Sequence, residues 1–118
     1  MAGYARAMRI GRHIWISGTT ATDERSQPVA VGDAYEQACY ILQKIERVLQ
    51  QSGATRRDIV RTRIYLVNQA DWQAVARAHA EFFSDVRPAN TLVVVAALIG
   101  ADYLVESEVE AYLSTERA

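Results

Sequence analysis

The fold of this chain is decided by residues 33–67, DAYEQACYILQKIERVLQQSGATRRDIVRTRIYLV, in which a helical pattern gives way to a strand pattern. From Asp33 onward, apolar residues recur at the spacing of one helix face: Ala34, Ala38, Ile41, Leu42, Ile45, Val48 and Leu49. Gly53 stands where a glycine commonly ends a helix. This stretch therefore predicts an amphipathic helix from Asp33 to about Gly53.

A strand follows that helix within a few residues. Residues 59–67 alternate between two sets of side chains, Thr62, Ile64 and Leu66 in one and Arg61, Arg63, Tyr65 and Val67 in the other. Alternation of this kind is typical of a strand that buries one face. We predict a strand over residues 59–67, with the two sets on opposite faces of a sheet.

Two short strands are predicted near the N-terminus, over residues 4–10 and 13–17. Gly11 and Arg12 between them suit a two-residue type II′ turn, because Gly tolerates the positive φ of the first turn position. A polar loop comes next, and it ends in the segment Val-Ala-Val at residues 29–31. This segment predicts a further short strand.

The second half of the chain predicts another helix and two more strands. The helix covers about residues 70–83, with Asn68 or Asp71 as its N-cap. Its apolar stripe consists of Trp72, Val75, Ala76, His79, Phe82 and Phe83. The strands are expected over residues 91–97 and 104–113.

This order of elements predicts one α+β domain over residues 1–118, a sheet of five or six strands with both helices on one face. The other face then exposes Trp15, Tyr65 and the run 93–95, Val-Val-Val, which is a large apolar patch. Self-association through this face would cover the patch, and pockets tend to form where subunits meet.

Composition and charge exclude several classes of protein. The 118 residues contain 13 Lys and Arg against 14 Asp and Glu, a net charge of -1, without the basic stripe that a nucleic-acid backbone requires. The longest apolar run lies between Thr91 and Gly100 and is too short to span a bilayer. The N-terminus lacks the apolar block of a signal peptide, so a cytoplasmic protein is expected.

Three glutamates mark the last predicted strand as a candidate for chemistry. Glu106, Glu108 and Glu110 share one face, and their neighbours Val105, Ser107, Val109 and Ala111 share the face that we expect to pack on the helices. A carboxylate that a second subunit covers has a raised pKa, which prepares a general acid. The alternative is that the glutamates line a solvated rim or pair with Arg61 and Arg63 across the sheet.

The histidines and the cysteine carry weaker signals. Neither His13 nor His79 has a Ser, Cys or Asp at a spacing that indicates a triad or a metal-ligand pair. His79 lies on the apolar helix stripe, which favours a hydrogen-bonded core or interface histidine. The single Cys39 forms no intrachain disulfide and no thiolate metal site, so no metal is expected.

Several motifs in order resemble the Rid family, also called YjgF-type reactive-intermediate deaminases. These motifs are YARAMRIG from Tyr4, WISG from Trp15, GDAYEQACYILQKIERVLQQSGA, DIVRTRIYLVNQADWQAVARAHAEFF, RPANT and LVESEVEA. The resemblance runs from Tyr4 to about Tyr112. No single motif is diagnostic, but their joint order is specific.

The resemblance implies a chorismate-mutase-like fold, with a mixed sheet and two helices on one face. It also implies assembly as a homotrimer, with three clefts between neighbouring subunits. Active members hydrolyse enamines and imines, such as 2-aminoacrylate and its imino tautomer, to 2-keto acids and ammonia without a metal or cofactor. Carried over residue by residue, their catalytic tyrosine, serine and glutamate fall on Tyr4, Ser17 and Glu106. The ligand-binding segment falls on Ala89, Asn90 and Thr91.

Two positions depart from the family pattern. An arginine that binds the substrate carboxylate in the family stands here as Asn90, and an asparagine often found on the second helix stands as Ala76. Asn brings a neutral amide instead of a permanent charge, and losing such a contact costs about 2 to 5 kcal/mol of binding. Hydrolysis of 2-iminopropanoate or 2-aminoacrylate is therefore not the expected activity.

The sequence leaves three functions open. The cleft could hydrolyse an imine or enamine whose recognised end is neutral. It could instead bind a small ligand, or serve a partner enzyme, without turnover. An endoribonuclease, as some relatives are labelled, fits the charge balance poorly.

Overall fold

The helix predicted after residue 33 is present in the computed structural model, which describes residues 3–113. Helix α1 spans Ala34–Gln51, and the Asp33 carboxylate caps it by accepting the Glu36 N–H at 3.0 Å. Gly53 follows the helix with a φ of +86°, a conformation that costs glycine little. Both predicted ends of the helix are confirmed.

The described residues form one five-stranded mixed sheet. Its strands are β1 (Ala7–Ile10), β2 (His13–Thr20), β3 (Ile59–Leu66), β4 (Ala89–Val94) and β5 (Val105–Tyr112). They lie in the order β1-β2-β5-β3-β4, and every neighbouring pair is antiparallel except the parallel pair β3–β4. Helix α2, Trp72–Phe83, provides the crossover between the two parallel strands.

The prediction of a strand at residues 29–31 is wrong. Val29 donates its N–H to the Ala21 carbonyl at 2.8 Å, but Ala30 has a φ of +52° and cannot continue an extended strand. Residues Thr22 and Pro28 form only an isolated bridge in this loop.

Further boundaries differ from the prediction. The N-terminal strands expected at residues 4–10 and 13–17 span Ala7–Ile10 and His13–Thr20. The strand predicted at 91–97 begins at Ala89 and ends at Val94, because it pairs with β3 and β3 itself ends at Leu66. Neither Asn68 nor Asp71 caps α2 with its side chain; a short 3₁₀ turn at Gln69–Asp71 leads into the helix instead.

Both helices pack on one face of the sheet, as predicted. A small internal cavity between them is lined by Ala38, Ile41 and Leu42 of α1, Val75 and His79 of α2, and Ile64, Val105 and Ser107 of the sheet. On the opposite face of the sheet, Trp15 and Val93 are 38% and 41% exposed. In the described part of the chain, no helix is long and apolar enough to cross a membrane.

A buried glutamine attaches the loop before β5 to helix α1. The Gln37 side chain is fully buried; it accepts the Leu104 N–H at 2.9 Å and donates to the Asp102 carbonyl at 2.8 Å. Buried backbone groups of an irregular loop need such partners. Gln37 therefore supports the loop that leads into the strand of glutamates.

Replacing Gln37 by Leu should leave the N–H of Leu104 and the carbonyl of Asp102 without a partner. We expect the free energy of unfolding in urea to fall by about 1 to 3 kcal/mol. Gln43→Leu is the matched control, because Gln43 is exposed on the same helix. Equal effects of the two substitutions would contradict the role given to Gln37.

Candidate functional site

Glu106 lies in the middle of the sheet, on the face that the helices leave open. Its neighbours are Thr20 on β2 and Tyr65 on β3. Partial burial, reinforced by the negative charge of Glu108, raises the pKa of Glu106, although Arg6 opposes the shift. A carboxyl group with a raised pKa holds its proton to higher pH and can act as a general acid.

Gly18 makes room for the Glu106 carboxylate. The pairing of β2 with β5 shifts register between Ile16 and Thr19, which places a bulge at Ser17 and Gly18. A Cβ atom at position 18 would lie 2.0 Å from Glu106 Oε2. The glycine that ends the WISG motif therefore has a physical role, because any side chain at position 18 would displace the Glu106 carboxylate.

Glu108 has a different environment from Glu106. The Tyr65 hydroxyl donates a hydrogen bond to Glu108 Oε1, and Arg63 Nη1 lies 3.9 Å from Glu108 Oε2. The same guanidinium lies 3.9 Å from Glu110 Oε2. The predicted pairing of arginines with glutamates across the sheet is thus found for Arg63.

Tyr4 and Ser17 lie beside Glu108 in a groove of about 470 Å³. Its lining residues are Gly3, Tyr4, Ala5, Met8, Trp15, Ile16, Ser17 and Glu108. Tyr4 is 67% exposed, and Ser17 Oγ donates to the Ala5 carbonyl at 2.7 Å. The Tyr4 and Ser17 side chains therefore line a groove on the open face of the sheet.

Glu106 lines the adjoining groove, which has a volume of about 320 Å³. Its lining residues are Gly18, Tyr65, Val95, Ala97, Leu98, Glu106 and Glu108. Glu108 belongs to both grooves, so it links Tyr4 and Ser17 on one side to Glu106 on the other. We refer to the two grooves together as the carboxylate face.

Asn90 lies on the opposite face of the sheet from these residues. The parallel pairing places it beside Thr62, and Thr62 Oγ1 donates to Asn90 Oδ1 at 2.8 Å. Ala89 and Thr91 precede and follow it on the strand, so their side chains point the other way, and Thr91 Oγ1 accepts from Arg61 Nη2 at 2.8 Å. Within one chain the sheet separates Asn90 from the carboxylate face.

Two residues of the carboxylate face, Gly18 and Tyr65, and the adjoining Arg6 were not among the site residues predicted from the sequence. Arg6 Nη1 donates to the Gly18 carbonyl at 2.9 Å and holds the N-terminal segment against the bulge. The alternation of β3 predicted the face of Tyr65, but nothing in it indicated that the hydroxyl reaches Glu108 across the strand pair.

His79 has the hydrogen-bonded interior position that its helix stripe predicts. Its Nε2 lies 2.8 Å from Thr62 Oγ1, and its ring centroid lies 4.6 Å from that of Phe83. Burial lowers the pKa of His79, which favours the neutral imidazole.

Comparison with known proteins identifies the family. The profile of the family described as Endoribonuclease L-PSP matches residues 1–113. A protein of Streptomyces coelicolor described only as uncharacterised is 38% identical over 110 residues, which cover 93% of this chain and 81% of its own length. The 3-aminoacrylate deaminase RutC of Acinetobacter baylyi is 33% identical over 106 residues, which cover 90% of this chain and 83% of RutC.

A solved structure agrees with these sequence matches. Rv2704 from Mycobacterium tuberculosis, described as a member of the YjgF/YER057c/UK114 family, superposes with a TM-score of 0.85 at 40% identity. The match covers 95% of this chain and 88% of that one. The chain therefore belongs to the YjgF or Rid family, the family that its ordered motifs predict.

Gly18→Ala should move the Glu106 carboxylate without unfolding the protein, because the atom in conflict is the end of a flexible side chain. We expect the pKa of Glu106, followed by ¹³C NMR of its carboxyl carbon, to fall towards the ordinary value as the group turns into solvent. The melting temperature serves as the control and should change by no more than a few degrees. An unchanged pKa would show that Gly18 does not set the position of the carboxylate.

Proposed function

We propose that the chain assembles as a homotrimer whose clefts, formed between neighbouring subunits, hydrolyse an imine or enamine without a cofactor. The observation that carries this proposal is the pair of unequal carboxylates, Glu106 and Glu108, in one groove. One has a raised pKa, whereas the other is held by a phenol and a guanidinium. Two carboxyl groups in different environments can divide the roles of acid and base.

Two observations support the trimer. One is the apolar surface that the sheet exposes, and the other is the position of Asn90 on the opposite face of the sheet from the glutamates. Tyr4, Met8, Trp15 and Val93 expose apolar surface on or beside this face, and association would remove it from water. Asn90 lies at the far side of an edge strand, so a single cleft can include Asn90 and the carboxylate face only if two subunits supply them. The edge strand β4 of one subunit would then approach Tyr4 of its neighbour.

The two carboxylates can complete a balanced hydrolysis. Glu106 donates its proton to the imine nitrogen while a water molecule attacks the carbon and gives a proton to Glu108. The resulting carbinolamine loses ammonia when Glu108 returns its proton to the nitrogen, the C–N bond breaks, and the hydroxyl proton passes to Glu106. An enamine first gains a proton at its terminal carbon and loses one from nitrogen. Both carboxyl groups end in their starting states.

The relative named as a 3-aminoacrylate deaminase supports this reaction class, because 3-aminoacrylate is an enamine. The family description also names an endoribonuclease. A net charge of -1 and a sheet face that carries three glutamates disfavour binding of an RNA backbone. We therefore propose small-molecule chemistry at this face.

Light scattering of the purified protein should give three times the mass of the chain. The physical reason is the apolar surface that a single chain leaves exposed. A mass equal to one chain would contradict the shared cleft and with it the proposed site.

The pH dependence of turnover should identify Glu106 as the acid. A general acid must be protonated, so the rate of ammonia release from uncharged imines should fall as pH rises through the raised pKa of Glu106. Glu106→Gln should remove this alkaline limb and lower the rate by at least about 100-fold.

Glu110→Gln is the matched control, because Glu110 lies on the same strand and lines neither groove. The proposal fails if the Glu106 and Glu110 variants lose activity equally. Ligand binding without turnover of any imine would instead favour the non-catalytic binding protein.

A further inference from the structure

A groove on the helix side of the edge strand has an uncharged lining. Its volume is about 440 Å³, and its lining residues are Gln69, Trp72, Ala76, Asn90, Leu92 and Val94. Trp72 is 47% exposed there, so the indole, Leu92 and Val94 offer apolar walls to a ligand. The polar side chains of this β4–α2 groove are two neutral amides.

A chain of hydrogen bonds connects one of these amides to helix α2. Thr62 is fully buried, and its single hydroxyl proton is donated to Asn90 Oδ1 at 2.8 Å. The same hydroxyl oxygen lies 2.8 Å from His79 Nε2. Because the hydroxyl has only one proton, His79 must donate Nε2–H to Thr62. The direction of the chain is therefore His79 to Thr62 to Asn90.

This direction decides what Asn90 presents to the groove. Its carbonyl oxygen accepts from the Thr62 hydroxyl, so the other end of the side-chain amide faces the groove. The amide nitrogen of Asn90 remains, and it can only donate. The β4–α2 groove thus combines apolar walls with a held N–H donor, and its lining holds no cation that would offset the desolvation of an anion.

We propose that the β4–α2 groove binds the uncharged, hydrogen-bond-accepting end of the ligand, such as a carboxamide, and that Thr62 and His79 are positioning residues for this selectivity. This proposal rests on the proposed function in one respect. It takes the molecule that binds here to be the same molecule that reacts at the carboxylate face of a neighbouring subunit. A carboxylate would lose hydration in the groove and gain only a neutral amide partner.

Pyruvamide and pyruvate form a matched pair of probes, because they differ in the neutral amide and the charged carboxylate. In titrations of the ¹⁵N-labelled protein, pyruvamide should shift the Asn90 side-chain NH₂ signals and bind at least about tenfold more tightly than pyruvate, a difference of about 1.4 kcal/mol. Equal affinities, tighter binding of pyruvate, or binding that leaves Asn90 unshifted would overturn the proposal.

Three substitutions test how Asn90 is held. Thr62→Val should remove most of the preference for pyruvamide, and Thr62→Ser should retain it, because the serine hydroxyl can make the same two hydrogen bonds. Asn90→Arg should reverse the preference in favour of pyruvate. A Thr62→Val protein that folds and keeps the full preference would show that Thr62 does not position the amide.

A surface variant keeps the test valid if Thr62→Val does not fold. Asn90→Asp has nearly the same shape and still accepts from Thr62, but it offers the groove no N–H donor. Pyruvamide affinity should fall at least about tenfold in this variant. Unchanged affinity would overturn the proposal.

These binding measurements do not depend on turnover. A wild-type protein that prefers pyruvamide but hydrolyses no imine would overturn the proposed enzyme and leave the groove assignment standing. A protein that hydrolyses imines but shows no preference for pyruvamide would overturn the groove assignment and leave the proposed enzyme standing.

Discussion

The whole structure depends on a sheet that the helices cover on one side only. From Thr62 onward in β3 and throughout β5, every second side chain is buried on the side of α1 and α2, and the side chains between them remain on the open face. The alternation of a strand thus separates packing residues from residues with available chemistry. A register shift of one residue would bury the glutamates and expose the core.

Two local features adapt this regular sheet to a site. The bulge at Ser17 and Gly18 interrupts the pairing of β2 with β5, and the absence of a Cβ at Gly18 leaves space for the Glu106 carboxylate. On the other face, Thr62 is buried under α2, where its hydroxyl connects His79 with Asn90. The space at Gly18 sets the position of the Glu106 carboxylate, and the buried Thr62 holds the Asn90 amide.

The predictions from sequence succeeded where a periodic pattern was long and failed where a short segment decided the structure. Helix α1, with its capped ends, and the alternation of β3 and β5 followed from repeated apolar spacing. The strand expected at residues 29–31 is absent because Ala30 adopts a positive φ, which no apolar pattern reveals. The ends of β4 depended on the length of its partner β3.

The sequence by itself determined the family, because its motifs occur in the family's order. It also determined the two helices, most of the strands and the face on which the glutamates lie, because these follow from periodicity. Only the tertiary structure decided which groups meet. Tyr65 reaches Glu108 across a strand pair, Tyr4 and Ser17 share their groove with Glu108, and Asn90 lies on the opposite face of the sheet. Such contacts depend on strand register and on side-chain direction across distant segments, and local patterns do not encode them.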